Sequence, residues 1–129
     1  MNPQTFLRKV LVVDDDPMVR NILSVNLKEE GFEPIEADCG ETAWRLLTNG
    51  EHHFSAAIVD RMMPNMDGTS LTKRIKSNPA FANVPVIMLT SAAERGEMID
   101  AVQGGVFDFL LKPVEPNLLS MVLKRAIGI

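Results

Sequence analysis

The sequence predicts an α/β fold: a doubly wound, five-stranded parallel sheet held between two layers of helices. Three observations predict it. Four short apolar runs, Val10–Val13, Ala56–Val59, Val86–Leu89 and Phe109–Leu111, carry no internal polar residue. Strands of parallel sheets are buried on both faces and read as continuous apolar segments of this kind. Strand-like and helix-like segments then alternate with a strand start every ~25 residues, the size of a βα unit. Right-handed crossovers between such units put helices on both faces. Finally, the four runs end on Asp14, Asp60, Thr90 and Lys112, at the carboxyl ends of strands where open parallel sheets bind their ligands.

The first strand is expected at 8–13 and the first helix at 17–30. Pro17 suits a first helical turn, Asp15 and Asp16 are candidate caps, and Gly31 can end the helix. Val19, Ile22, Leu23, Val25 (or Asn26) and Leu27 recur at helical spacing as its apolar face. A strand at 33–37 precedes a helix at 41–49, which Gly50 can end. A strand at 55–60 leads through Asn65-Met66-Asp67-Gly68, typical turn chemistry, into a helix at 69–77 stopped by Asn78-Pro79. A strand at 84–90, a helix at 93–103 ended by Gly104-Gly105, a strand at 107–112 and a helix at 116–127 complete five βα units. Residues 1–7 are expected to be a tail and 8–129 a single domain with no output domain.

Composition narrows the function. The net charge of −4, with no Lys/Arg stripe, speaks against direct DNA binding. No apolar run approaches a membrane span, and Met1–Thr5 lacks the basic start and apolar segment of a signal peptide. Cys39 is the single cysteine, which excludes an internal disulfide and fits a reducing compartment. A cytoplasmic address is the expectation.

If strands one and three are neighbours, Asp14, Asp15 and Asp60 converge. Three carboxylates at one point repel, and a divalent cation resolves the conflict. An all-oxygen set without Cys or His favours Mg²⁺, with Mn²⁺ as the alternative. Lys112 and Thr90 reach the same rim, where an ammonium and a hydroxyl can neutralise phosphoryl oxygens. A carboxylate there can accept a phosphoryl group as an acyl phosphate. Asp16 and Asp67 are read as helix caps, and His52-His53 as an exposed loop pair rather than phosphohistidines. Met62, Met63 and Met66 offer an adaptable partner surface or core filler. Trp44, spaced with Leu47, is expected to pack partly on the sheet.

These motifs together resemble the receiver domains of two-component response regulators, of the single-domain chemotaxis (CheY-like) type, from about Lys9 to Ile127. The segments that carry the resemblance are Val12-Val13-Asp14-Asp15, Val59-Asp60-Arg61-Met62-Met63-Pro64-Asn65-Met66-Asp67-Gly68, Met88-Leu89-Thr90-Ser91 and Leu111-Lys112-Pro113. The resemblance implies a flavodoxin-like three-layer sandwich with five helices and strand order 2-1-3-4-5. That order comes from the family, whose chemotaxis members are a standard instance of it, and not from the residues. It implies that Asp60 is phosphorylated. Asp15, Asp60 and the Met62 backbone carbonyl would bind Mg²⁺, with Asp14 acting mainly through water. Lys112 would pair with the phosphoryl group, and Thr90 and Phe109 would switch. The Lys112-Pro113 bond would be cis. The donor would be a histidine kinase or histidine phosphotransfer protein. The readout would be a separate effector binding the face of the fourth helix, fifth strand and fifth helix, or, on phosphorylation, a second copy of the chain. Such a domain is a switch that assists its own phosphorylation, not an enzyme with turnover.

Two departures matter. Phe109 stands where the family often has Tyr, so a readout through a phenolic hydroxyl is absent. Met62 and Ala92, two residues beyond Asp60 and Thr90, offer no polar group to orient a hydrolytic water, so slow self-dephosphorylation is expected. Rival readings fit less well. A phosphatase with an aspartate nucleophile would use the Asp-x-Asp of Asp14–Asp16 but leave Asp60 unexplained, and its cap and late acids are missing. A flavin-phosphate binder would meet three repelling acids after its first strand. A scaffold that ignores phosphate draws only on Phe109.

Overall fold

Continuous apolar strands need cover on both faces, and here they receive it: Val10–Val13, Ala56–Val59 and Val86–Leu89 are all fully buried. A computed structural model describes residues 7–91 and 105–129. The elements are β1 (Lys9–Val13), α1 (Pro17–Glu29), β2 (Glu33–Ala37), α2 (Gly40–Thr48), β3 (Phe54–Asp60), α3 (Gly68–Ser77), β4 (Val86–Thr90), β5 (Asp108–Leu111) and α4 (Pro116–Ile127). All strand pairs are parallel, in the order β2-β1-β3-β4-β5.

Alternation along each strand splits the core into two layers. Val10, Val12, Ile58, Ile87 and Leu89 pack with Leu23 and Leu27 of α1 and Leu119, Val122 and Leu123 of α4. Leu11, Val13, Ala57, Val59 and Val86 pack on the other face with Ala43 and Leu47 of α2 and Leu71 and Ile75 of α3. Full burial of an aliphatic side chain stabilises by roughly 1.5–3 kcal/mol, so each layer fixes its helices firmly. None of the described helices is long and apolar enough to cross a membrane.

Local chemistry sets the boundaries. The Asp16 carboxylate accepts from the Met18 N–H at the start of α1 (2.9 Å), with Pro17 in the first turn. Asp67 accepts from the Ser70 N–H at the start of α3 (2.8 Å). Both therefore act as caps.

The expectation of five helices is corrected: the described residues hold four. The fifth rested on 93–103, which lies outside the described residues. The apolar face of α1 is also narrower than its spacing implies. Leu23 and Leu27 are buried, but Ile22 and Val25 stay about half exposed, because the buried stripe passes through Ser24 instead.

Candidate functional site

Register decides which side chains meet. Val13 of β1 lies opposite Val59 of β3, so Asp14 and Asp60 leave the sheet side by side. Carboxylate oxygens of Asp14, Asp15 and Asp60 all come within 4.8 Å of one another. Asp14 and Asp60 are buried, at 0% and 5% exposure, while Asp15 faces solvent. On the neighbouring side Thr90 ends β4, and Lys112 follows β5 with its N–H bonded to the Thr90 carbonyl (2.8 Å). The Lys112-Pro113 peptide is cis.

Lys112 holds the acids together. Its Nζ lies 3.0 Å from Asp14 Oδ2 and 3.0 Å from Asp60 Oδ1. Asp14 Oδ1 accepts from the Asp16 N–H (2.9 Å). Its buried Oδ2 receives no well-directed hydrogen bond among the described residues and rests on the Lys112 charge. Burial pushes the Asp60 carboxyl above the ordinary carboxylate range. Lys112 and the Met62 N–H oppose that shift, while the Asp14 charge adds to it. Burial alone would lower the Lys112 ammonium, yet the bonds and charges of Asp60 and Asp14 outweigh it, and its pKa rises. Lys112 is thus a fixed cation at neutral pH.

The donor set fits a hard divalent cation. Three carboxylates converge without any nitrogen or sulfur ligand among the described residues, and one buried oxygen lacks a directed partner. Such a partial oxygen cage suits Mg²⁺, which keeps several waters.

The other residues singled out by the sequence are distributed as follows. The Thr90 hydroxyl is buried at the rim and has no hydrogen-bond partner among the described residues. Phe109 is half-buried on the edge strand β5, opposite Met88. Met62 is 57% exposed in the loop after β3, whereas Met63 is buried and belongs to the core. Trp44 packs on the α2–α3 layer under the Arg74 guanidinium (4.4 Å). His53 is exposed, but His52 is half-buried, accepts from Lys9 Nζ (3.1 Å) and lies against Phe54. Ala92 lies outside the described residues.

Two residues at the site, Arg20 and Glu36, escaped the sequence reading, and Gly68 was read only as part of a turn. A Cβ on Gly68 would fall 2.3 Å from the Asp60 carbonyl oxygen, and its N–H donates to the Arg61 carbonyl (2.9 Å). The loop after the acceptor closes only because Gly68 has no side chain. Arg20 of α1 donates to the Asp14 carbonyl oxygen (2.7 Å) and to Glu36 of β2 (3.1 Å). Gly68 had a signal, its place after Asp67; Arg20 and Glu36 had none, since their meeting depends on β2 lying beside β1.

Residues 10–124 match the family model described as response regulator receiver domain. The chain is a receiver domain. Among curated relatives, this receiver is 35% identical over 121 residues to the chemotaxis protein CheY1 of Helicobacter pylori, an alignment covering 93% of this chain and 97% of that protein. Its structure is similar to that of a response regulator receiver domain protein from Clostridium thermocellum, with a TM-score of 0.87, 29% identity and 95% of each chain covered. It is also similar to the receiver domain of the sensor histidine kinase PA1611 from Pseudomonas aeruginosa PAO1, with a TM-score of 0.85 and 28% identity, covering 96% of this receiver and all of that one. That structure has a magnesium ion coordinated in its active-site cleft. Membership makes this receiver a component of two-component phosphorelay signalling, a phosphorylation switch rather than a turnover enzyme.

Proposed function

We propose that this receiver takes a phosphoryl group onto Asp60 from a phosphohistidine donor and thereby changes the face it shows to a separate target protein. The observation that carries the proposal is the Lys112 ammonium, 3.0 Å from both Asp14 and Asp60, at the rim where the buried Thr90 hydroxyl has no partner among the described residues. The ionised Asp60 oxygen forms a bond to phosphorus as the P–N bond to the donor imidazole breaks, and that imidazole nitrogen takes a proton from solvent. Lys112 stays in place as a cation for the transferred oxygens. Asp14, Asp15 and Asp60, with the Met62 carbonyl, would hold Mg²⁺ (or Mn²⁺). When bound, the ion neutralises charge developing on the phosphoryl oxygens.

Transfer replaces a monoanion by a group of charge about −2 with three acceptor oxygens. Thr90 has a hydroxyl ready to donate to it. Movement of Thr90 makes room for Phe109, and the surface of β5 and α4 is repacked as a pre-existing equilibrium shifts. Residues 93–103, expected to share that face, lie outside the described residues. A histidine kinase or histidine phosphotransfer protein serves as donor. The curated chemotaxis relative is matched almost end to end, which supports a stand-alone receiver read by a separate effector, or by a second phosphorylated copy. The apolar Met62 side chain beside the acceptor supports a slowly hydrolysed acyl phosphate.

Intact-protein mass spectrometry after incubation with acetyl phosphate tests the proposal on wild type and Asp60→Ala, with and without Mg²⁺. One phosphoryl adduct that requires both Asp60 and Mg²⁺ supports it. No adduct, even with a phosphohistidine protein as donor, would move a phosphate-insensitive scaffold ahead.

A further inference from the structure

We infer that Arg20 is a positioning residue for the metal-binding acids, held in place by Glu36 and Ser24; this rests on the reading of Asp14, Asp15 and Asp60 as a Mg²⁺ site. The guanidinium of Arg20, in the first turn of α1, donates through Nη1 to the Asp14 carbonyl oxygen at 2.7 Å, the length of a charge-assisted bond. Through Nε it meets Glu36 Oε1 at 3.1 Å. The other Glu36 oxygen accepts from the Ser24 hydroxyl at 2.9 Å. Ser24 is buried and one helical turn beyond Arg20. Both oxygens of Glu36 are therefore committed, and its carboxylate fixes the plane of the guanidinium.

The geometry addresses the weak point of the site. Asp14 is the last residue before the chain turns from β1 into α1, and Asp15, the exposed ligand, follows directly. The Asp14 N–H is tied to the Ala37 carbonyl of β2 (3.2 Å). Arg20 ties the Asp14 carbonyl. With both ends of one residue pinned, the peptide joining Asp14 to Asp15 has a fixed plane, and so does the direction in which each carboxylate leaves the backbone. A free cation placed here would repel a divalent ion. Glu36 offsets that charge locally, so Arg20 orients the acids without opposing their ligand. Glu36 is exposed (41%) while Arg20 is mostly covered (18% exposed), and a pair open to solvent at its acid end adds little to stability. An effect on metal affinity is thus separable from an effect on folding.

Groups that orient metal ligands typically change affinity 10–100-fold when removed. Calorimetric titration of the full chain with Mg²⁺ alone reads this directly, alongside melting in EDTA. Arg20→Ala is expected to weaken Mg²⁺ binding about tenfold or more, with little change in the EDTA melting temperature. Glu36→Ala, which leaves Arg20 in place but unheld, is expected to weaken binding in the same direction. Arg20→Lys keeps the charge without the fork that reaches two acceptors and is expected to recover only part of the loss. Mg²⁺ affinities within twofold of wild type in Arg20→Ala, or in Arg20→Lys and Glu36→Ala should Arg20→Ala not fold, overturn the inference while the metal-site reading stands. A wild type that binds no Mg²⁺ overturns both.

Discussion

The two halves of the sheet rim differ in how finished they are. On the β1–β3 side both buried acids are held: Asp14 by the Asp16 N–H, Lys112, Ala37 and Arg20, and Asp60 by Lys112. On the β4–β5 side Thr90 keeps a buried hydroxyl without a partner among the described residues. There Phe109 is half-buried on an edge strand and Leu111 is 38% exposed. The acids are organised before any phosphoryl group arrives, at the expense of mutual repulsion; the hydroxyl and aromatic side are left with interactions still to be made. That is the arrangement a switch requires, because a ligand moves an equilibrium only by interactions that differ between its two states.

The difference can be broken most severely at Lys112, which bridges the halves. Lys112→Ala leaves Asp14, at 0% exposure, without its counter-charge, and breaking a buried pair in this way costs about 3 kcal/mol. Urea unfolding in EDTA is expected to show that loss, with Mg²⁺ restoring much of it. Because the folded Lys112 pKa is raised, its contribution is fully present below the ordinary lysine value of about 10.4. It disappears as pH climbs through the folded value, so wild type and variant converge at high pH.

Gly68→Ala strikes the finished half alone. The new methyl group collides with the Asp60 carbonyl, and overpacking of this kind costs about 2 kcal/mol. Thermal melting reads the loss, and phosphoryl uptake is expected to fall with it.

Thr90→Val sharpens the comparison from the other side. It removes a buried hydroxyl that has no partner among the described residues, so the unphosphorylated protein is expected to gain about 1 kcal/mol while losing its response to phosphorylation. A loss of stability instead would mean the hydroxyl is already satisfied.

The smallest effect is expected at Asp60→Asn. Burial is the leading cause of the raised Asp60 pKa, so ionisation opposes folding. Stability from this group is fully present below the ordinary carboxylate pKa and is lost as pH rises through the folded value. In EDTA at pH 7 the variant is expected to be more stable than wild type by roughly 0.5 kcal/mol, with the gap closing toward pH 4.

Much of this contrast was legible before any coordinates. The strands announced themselves because burial on both faces leaves no polar residue within Val10–Val13 or Val86–Leu89. The caps Asp16 and Asp67 were readable because capping is a local hydrogen bond. Asp14, Asp15, Asp60, Thr90 and Lys112 were readable as strand-end residues, and their convergence needed only the neighbouring of strands. Long-range pairings were not readable. Arg20 and Glu36 look like ordinary surface charges until β2 is set beside β1. Periodicity overstated the buried face of α1, since hydropathy alone does not say that Ser24 faces inward to bond Glu36 while Ile22 faces out. Sequence alone leaves the methionine cluster with two readings, and burial divides it between them: Met63 fills the core while Met62 faces solvent.

The most direct test of the finished and unfinished halves is residue-level amide hydrogen exchange on the receiver before and after phosphoryl transfer in Mg²⁺. Phosphorylation is expected to raise protection at β5 and in α4, with β1 and the start of α1 changing little. Phosphorylated protein whose protection changes at β1 and α1 alone, with β5 and α4 unaltered, would contradict the account.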